Sequence, residues 1–319
     1  MQRHIRSRLC FSFFILSSLF AAAQTEATLL FVGDLMQHSP QFLRAKQPDG
    51  SFNYDVCFEE VKPHIEAADI AVGNLEVTLG GPPYTGYPCF SAPDDWLWAI
   101  KNTGFDVLTT SNNHCLDRGR RGLERTLMMT DSLEFLTLGT YRNAEERQQR
   151  YPLIVEKNGI RFAFLTYTYD MNGFEAEEPN VVNAIDTLTM KKDILIARSL
   201  RPDIIIAIMH WGTEYKLQPD SDQRFLGRWL LDQGVDHIIG GHPHVIQPTE
   251  YFPYDDRPDF HTVVWSQGNF ISNMSAPHTT EGTMITLTFR KIGSVTRLTE
   301  YDCKVVQTTR PDYRLKIID

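Results

Sequence analysis

Five apolar runs in this chain each end in side chains of the kind that bind metals, and that pairing constrains the fold more than any other feature. LLFV leads to Gly33-Asp34, DIAV to Asn74-Leu75-Glu76, and DVLTTS to Asn112-Asn113-His114 with Asp117 close behind. IIIAIM leads to His210-Trp211-Gly212, and HIIG to Gly241-His242-Pro243-His244. Each run reads as a buried strand. An open α/β sheet delivers the loops after its strands to one edge, where ligands bind. Asp, Glu, Asn and His converging there, without the Cys clusters of a structural zinc site, suit one or two catalytic divalent ions.

The first 23 residues are set apart by their pattern. Arg3, Arg6 and Arg8 precede an apolar run from Leu9 to Phe20, and Ala21-Ala22-Ala23 follow it. This is the order of a cleaved secretory signal, and the run is shorter than the ~20 residues of an ordinary membrane span. The expectation is an exported chain, periplasmic or at the cell surface, soluble once residues 1–23 are removed. Residues 24–319 then read as a single α/β domain with elaborated loops. The signal holds three of the 31 basic residues and none of the 40 acidic ones, so the remainder carries 28 against 40, a net −12. That balance argues against a nucleic-acid or anionic-membrane binder, which needs a basic excess. Cys57, Cys89, Cys115 and Cys303 could form disulfides in an oxidising compartment, in any of three pairings. Cys115 beside His114 reads as a small buried residue rather than a nucleophile.

Along the chain, strands are expected at Ala27 to Val32, Asp69 to Val72, Asp106 to Thr110, Asp203 to Met209 and Asp236 to Ile239. Helices are expected near Phe58 to Ala67, Pro93 to Thr103, Gly122 to Leu133, Met190 to Leu200 and Phe225 to Gln233, several from apolar residues at i, i+1, i+4 spacing. Gly80 to Pro93 is dense in Gly and Pro and reads as an exposed loop. Lys157-Asn158-Gly159 joins Pro152–Val155 to Ile160–Tyr167 as an Asn-Gly hairpin. Thr262 to Ser266 and Thr283 to Phe289 complete the strands. This order suggests two sheets packed together and flanked by helices.

The candidate metal ligands are Asp34, Glu76, Asn113, His210, His242 and His244. An imidazole closing a buried strand, as His210 does, is costly unless something satisfies it. Glu76 is the candidate carboxylate bridge between two ions. His38 could reach them from a helical turn after Asp34. His114 is the candidate general acid; Asp117 either orients it or caps a helix. Asn74 is placed with the substrate-binding residues. Arg118, Arg120, Arg121 and Arg125 form either a solvated helix face or an anion clamp, with Arg118 and Arg121 the candidate substrate contacts.

GDLM, GNLEVTLG, SNNHCLDRG, MHWGTEY, GGHPHVIQP and SQGNF, in this order and spacing, resemble the capsule-biosynthesis protein CapA family, which is linked to poly-γ-glutamate synthesis. That family is a branch of the calcineurin-like metallophosphoesterases. The resemblance implies an α/β fold, a four-layer αββα sandwich with a two-metal centre at the sheet edge. It matches Asp34, Asn113, His114, His210, His242 and His244 to the superfamily's motif positions. It departs at Met36, where the superfamily has a histidine, and at Glu76, where the bridging residue is an aspartate. It further implies manganese, iron or zinc as the ions and a phosphoester or anionic polymer as substrate. A capsule-synthesis membrane complex is the implied partner. The implied function is metal-dependent hydrolysis in capsule or exopolymer synthesis. The rival is a non-catalytic accessory protein that binds or helps export an anionic polymer.

Overall fold

The computed structural model describes residues 24–255 and 259–318. The expected signal, residues 1–23, lies outside them. The first third of the chain alternates strand and helix: β1 (Gln24–Leu35), α1 (Ser39–Ala45), α2 (Asp55–Phe58), α3 (Lys62–Glu66), β2 (Ile70–Leu75), α4 (Asp94–Thr103), β3 (Val107–Thr109), α5 (Gly119–Ser132) and β4 (Leu136–Leu138). β1, β2, β3 and β4 run parallel. One long helix near Phe58 to Ala67 was expected, and two short ones form instead. Pro63 lies within that span and sits in the first turn of α3, where its missing N–H does no harm, so the helix begins there.

The middle of the chain holds β5 (Thr140–Tyr141), α6 (Ala144–Arg150), β6 (Leu153–Lys157), β7 (Ile160–Thr168), β8 (Val181–Val182), α7 (Thr187–Ser199), β9 (Ile204–His210), α8 (Ser221–Gln233) and β10 (His237–Gly241). The expected hairpin joins β6 to β7. Asn158 and Gly159 both have positive φ there, as a tight two-residue turn requires. The last third contributes β11 (Thr249–Pro253), β12 (Phe260–Val264), β13 (Asn269–Ile271), β14 (Glu281–Ile292), β15 (Val295–Thr309) and β16 (Arg314–Ile317).

Two sheets result. One runs β16-β15-β14-β1-β2-β3-β4, with β13 also paired to β1; the other runs β11-β12-β10-β9-β7-β6. The alternation of β1 fixes the layering. Ala27, Leu29 and Phe31 point between the sheets, while Leu30 and Val32 point outward onto the helical layer holding Trp96, Leu97 and Ile100 of α4. In the second sheet β9 is buried along nearly its whole length, and α7 and α8 cover the outer face through Met190, Ile194, Leu226 and Leu230. The architecture is the expected four-layer sandwich. α8 begins on an Asp220–Gln223 capping box and ends at Gly234 in the left-handed region, the start and stop signals of a stable helix. No helix among the described residues is long and apolar enough to cross a membrane.

Candidate metal centre

The parallel strands of both sheets end at one edge, and their polar termini meet there. Glycines make the approach possible. A Cβ at Gly33 would collide with the Gly268 carbonyl, and one at Gly240 with the Trp265 carbonyl. β1 places Asp34 beside Asn74 of β2 in register, and β9 places His210 beside Gly241.

From the first sheet come carboxylates and amides. Thr109 Oγ1 and Asn112 Nδ2 each donate to Asn74 Oδ1 at 3.1 Å. This fixes the Asn74 amide so that Nδ2 donates to Asp34 Oδ1 (2.8 Å) and Glu76 Oε2 (3.3 Å). Asn74 therefore lies buried in the floor of the site, holding the two carboxylates. From the second sheet come imidazoles. His210 Nε2 lies 2.8 Å from Asn113 Oδ1 and 3.8 Å from Glu76 Oε1. His244 Nδ1 lies 2.9 Å from Asn269 Oδ1, and Asn269 Nδ2 donates to Thr279 O, so the His244 proton is on Nδ1. That leaves Nε2, 3.9 Å from Glu76 Oε1, as the atom able to hold an ion. His242 and His244 both adopt positive φ, at 97° and 58°, strained conformations that the packed turn enforces.

Electrostatics divides the cluster. Burial drives the Glu76 carboxyl well above the usual carboxylate range, and the charge of Asp34 adds to the shift. Burial acts on Asp34 in the same sense, but contact with His244 and the charges of His210 and His244 outweigh it and hold Asp34 low. Burial pushes His210 down to about 3 and His242 well below its usual value. His244 goes the other way, because contact with Asp34 outweighs the effect of burial.

The side chains fit a divalent ion. Asp34 Oδ2, Glu76 Oε1 and His242 Nδ1 are buried and make no hydrogen bond; His244 approaches Asp34 Oδ2 to 3.3 Å without the alignment of one. Each unsatisfied buried group costs ~1–3 kcal/mol, a large fraction of the ~5–15 kcal/mol that holds a domain together. Glu76 Oε1 stands 3.8–3.9 Å from two imidazole nitrogens. That is too long for hydrogen bonds and suits ligands sharing an ion with bonds of ~2.1 Å. Asp34, Glu76 and His244 offer ligand atoms all within 4.8 Å of one another.

His114 adjoins this cluster. Its Nδ1 lies 2.8 Å from Asp117 Oδ2, which also accepts from Phe90 N at 2.7 Å. The Phe90 ring packs edge-on against His114 at 4.6 Å. The Gly80 to Pro93 loop is thus only partly exposed: Tyr87 reaches solvent, while Phe90 is buried as a wall of the site. His38 caps α1, 2.7 Å from Gln41 Oε1 through its backbone N–H. Met36 packs into the apolar core with Leu35 and Phe42 and offers no ligand. The arginines separate. Arg120 pairs with Glu124 and Arg125 with Asp94, whereas Arg118 approaches only Thr85, at 3.5 Å, and Arg121 is exposed on α5. Cys115 is buried with its thiol pushed up to about 12 by burial, unsuited to attack. Phe90, Asn172 (3.4 Å from His114 Nδ1) and Asn269 were not singled out from the sequence as site residues, though Asn269 falls within the SQGNF motif.

The fold and its edge cluster define a class, the calcineurin-like phosphoesterase architecture. The calcineurin-like phosphoesterase YfkN from Bacillus subtilis superposes with a TM-score of 0.51 at 14% identity, over 89% of this chain and 91% of that one. A phosphatase from Mycoplasma pneumoniae gives 0.53 at 12% identity, over 91% and 97%. At these identities the likeness is one of fold. Residues 28–274 match the family described as Bacterial capsule synthesis protein PGA_cap, and the chain belongs to that family. Capsule biosynthesis protein CapA of Bacillus anthracis is 26% identical over 282 residues, 84% of this chain and 65% of that protein. PGA biosynthesis protein CapA of Bacillus subtilis (strain 168) is 27% identical over 280 residues, 83% and 68%. The chain spans about two thirds of the length of these relatives.

Proposed function

We propose that this chain is an exported, divalent-metal-dependent hydrolase that acts in making or processing an anionic capsule polymer. The observation that carries this reading is the pair of orphaned buried carboxylate oxygens, Asp34 Oδ2 and Glu76 Oε1, ringed by His210 and His244. Asp34, Glu76, Asn113, His210, His242 and His244 would hold one or two ions of manganese, iron or zinc. When bound, such ions polarise a phosphoryl or acyl oxygen and make water a stronger nucleophile. His114, its Nδ1 held by Asp117 and its ring by Phe90, would deliver a proton from Nε2 to the leaving group. Arg118 and Arg121 would meet the anionic substrate, a phosphoester or a γ-glutamyl amide. Export rests on the Arg-rich, apolar, Ala-ending start of the chain, and a capsule-synthesis membrane complex is the partner that family membership suggests.

The test is metal analysis of protein purified without chelator, followed by hydrolysis of phosphomonoesters, phosphodiesters and γ-glutamyl amides with manganese, zinc, iron or magnesium. Stoichiometric metal with turnover on one substrate class is the expected result. Metal-loaded protein inert on every substrate, yet retaining polyglutamate, would establish an accessory binding protein instead.

A further inference from the structure

Glu214 lies outside the ligand set named above, on the exposed loop between β9 and α8, and three features bring it to the metal centre. One of its carboxylate oxygens and one ring nitrogen each of His242 and His244 all lie within 4.8 Å of one another. His242 is only 2% exposed, and its Nδ1 has no hydrogen-bond partner. The loop itself is pinned. Tyr215 N donates to Pro243 O at 2.8 Å, tying the residue after Glu214 to the turn between the two histidines. Tyr215 takes a positive φ of 64° to make that bond, a conformation costly to a bulky residue unless its surroundings impose it. Farther along, Gln247 Nε2 donates to Lys216 O, and Gln223 Nε2 donates to Gln247 Oε1. Gly212, φ 90°, begins the loop where any Cβ would strike the Gln223 side chain. A free surface glutamate needs none of this bracing.

We propose that Glu214 is a metal ligand, completing from the solvent side an ion position that includes His242 and His244. Met36 turns into the core and supplies nothing, so the carboxylate comes instead from a loop on the opposite sheet. This inference rests on the metal reading above and adds to it a ligand that reaches the centre from solvent.

The experiment strips the full chain with chelator and titrates it with MnCl2, counting free Mn²⁺ by its paramagnetic resonance signal. Wild type, Glu214→Gln, Glu145→Gln and the His242→Ala/His244→Ala double variant are compared. Glu145 is an exposed acid on α6 and controls for the loss of one surface charge. Glu214→Gln is expected to weaken Mn²⁺ uptake at least ~10-fold, the scale on which metal-site substitutions act. Its melting temperature without metal should match wild type, because position 214 is exposed. Glu145→Gln should bind as wild type. Wild-type uptake in Glu214→Gln alongside none in the double histidine variant would overturn the Glu214 assignment and leave the metal centre standing. No uptake by wild type itself would overturn both.

Discussion

Compare the half of the centre carried by β1, β2 and β3 with the half carried by β9 and β10. The first supplies oxygen: Asp34, Glu76, Asn113 and the organising Asn74. The second supplies imidazole nitrogen: His210, His242 and His244. The carboxylate half is braced by a neutral amide network that runs from Thr109 and Asn112 through Asn74, so it keeps its shape without an ion. The imidazole half is held by strained backbone and by the amide of Asn269, with His242 Nδ1 left unsatisfied. One half is preorganised mainly by hydrogen bonds, the other mainly by packing, and they meet where His210 Nε2 approaches Asn113 Oδ1 and His244 Nδ1 approaches Asp34 Oδ2.

Breaking the imidazole half has the largest expected effect. His242→Ala with His244→Ala removes two ligands and should take metal content from stoichiometric to none, with loss of all turnover. Elemental analysis after gel filtration decides it, and metal retained at the wild-type level would remove the centre from the molecule. Asp34→Ala should do the same from the other side.

Next comes His114, the proposed proton donor. His114→Ala leaves every proposed ligand in place, so metal content should hold while turnover falls ~10²–10⁴. A proportional fall in both would make His114 structural.

The pH response separates the halves by sign. Burial lowers His210, His242 and His38, so each contributes stability that is present above about pH 6.5, their ordinary value, and is lost progressively as pH falls from there toward the folded value, about 3 for His210 and about 4 for His38. Glu76 is raised, so its contribution is present at low pH and lost as pH climbs through its folded value. Three lowered histidines oppose Glu76 and the raised His244, and the stripped protein should melt at progressively lower temperature from pH 7 to pH 4. Metal affinity should fall over the same interval, because Glu76 and His244 both take up protons that an ion must displace. A melting temperature flat across that range would mean the histidines are already charged in the fold.

The imidazole half was the more legible in sequence. IIIAIM ending in His210, and HIIG running into His242 and His244, put polar side chains against unbroken apolar runs, which local pattern detects. So too for Asp34. The bracing was less legible: Phe90 and Asn172 reach the site from loops and nothing in their neighbours marks them, while Asn269 opens β13 and was visible only as part of the SQGNF motif. The role of Asn74 turned on which way its amide faces, and that depends on Thr109 and Asn112. In the fold, β15 and β16 went unread because VTRLTEYDCKVVQTT scatters charge along both faces of a strand that is mostly half-exposed. α6 buries no residue at all and so has no apolar stripe to find. The two-sheet layering was readable from the order of strands, helices and hairpins along the chain.

The smallest expected effect lies at the mouth and sharpens the contrast between positioned and free charge. Arg125 donates to both Asp94 oxygens at 2.8 Å and to Leu79 O at 2.6 Å, so it fastens the Gly80–Pro93 loop to α5 and is not free for substrate. Arg121 is exposed, and Arg118 has only the long contact to Thr85. An exposed charge meeting an anion in water near contact distance changes binding by about fivefold. Arg118→Ala and Arg121→Ala should each raise KM for an anionic substrate by about that factor and leave kcat and metal content alone, the more so at low salt. Arg125→Ala should instead lower the melting temperature and reduce kcat, because Phe90 of the same loop seats His114. Steady-state kinetics at two ionic strengths, with a thermal melt of each variant, distinguishes them. If Arg125→Ala raises KM and leaves the melt unchanged, the loop does not depend on its ion pair and the clamp extends along the whole of α5.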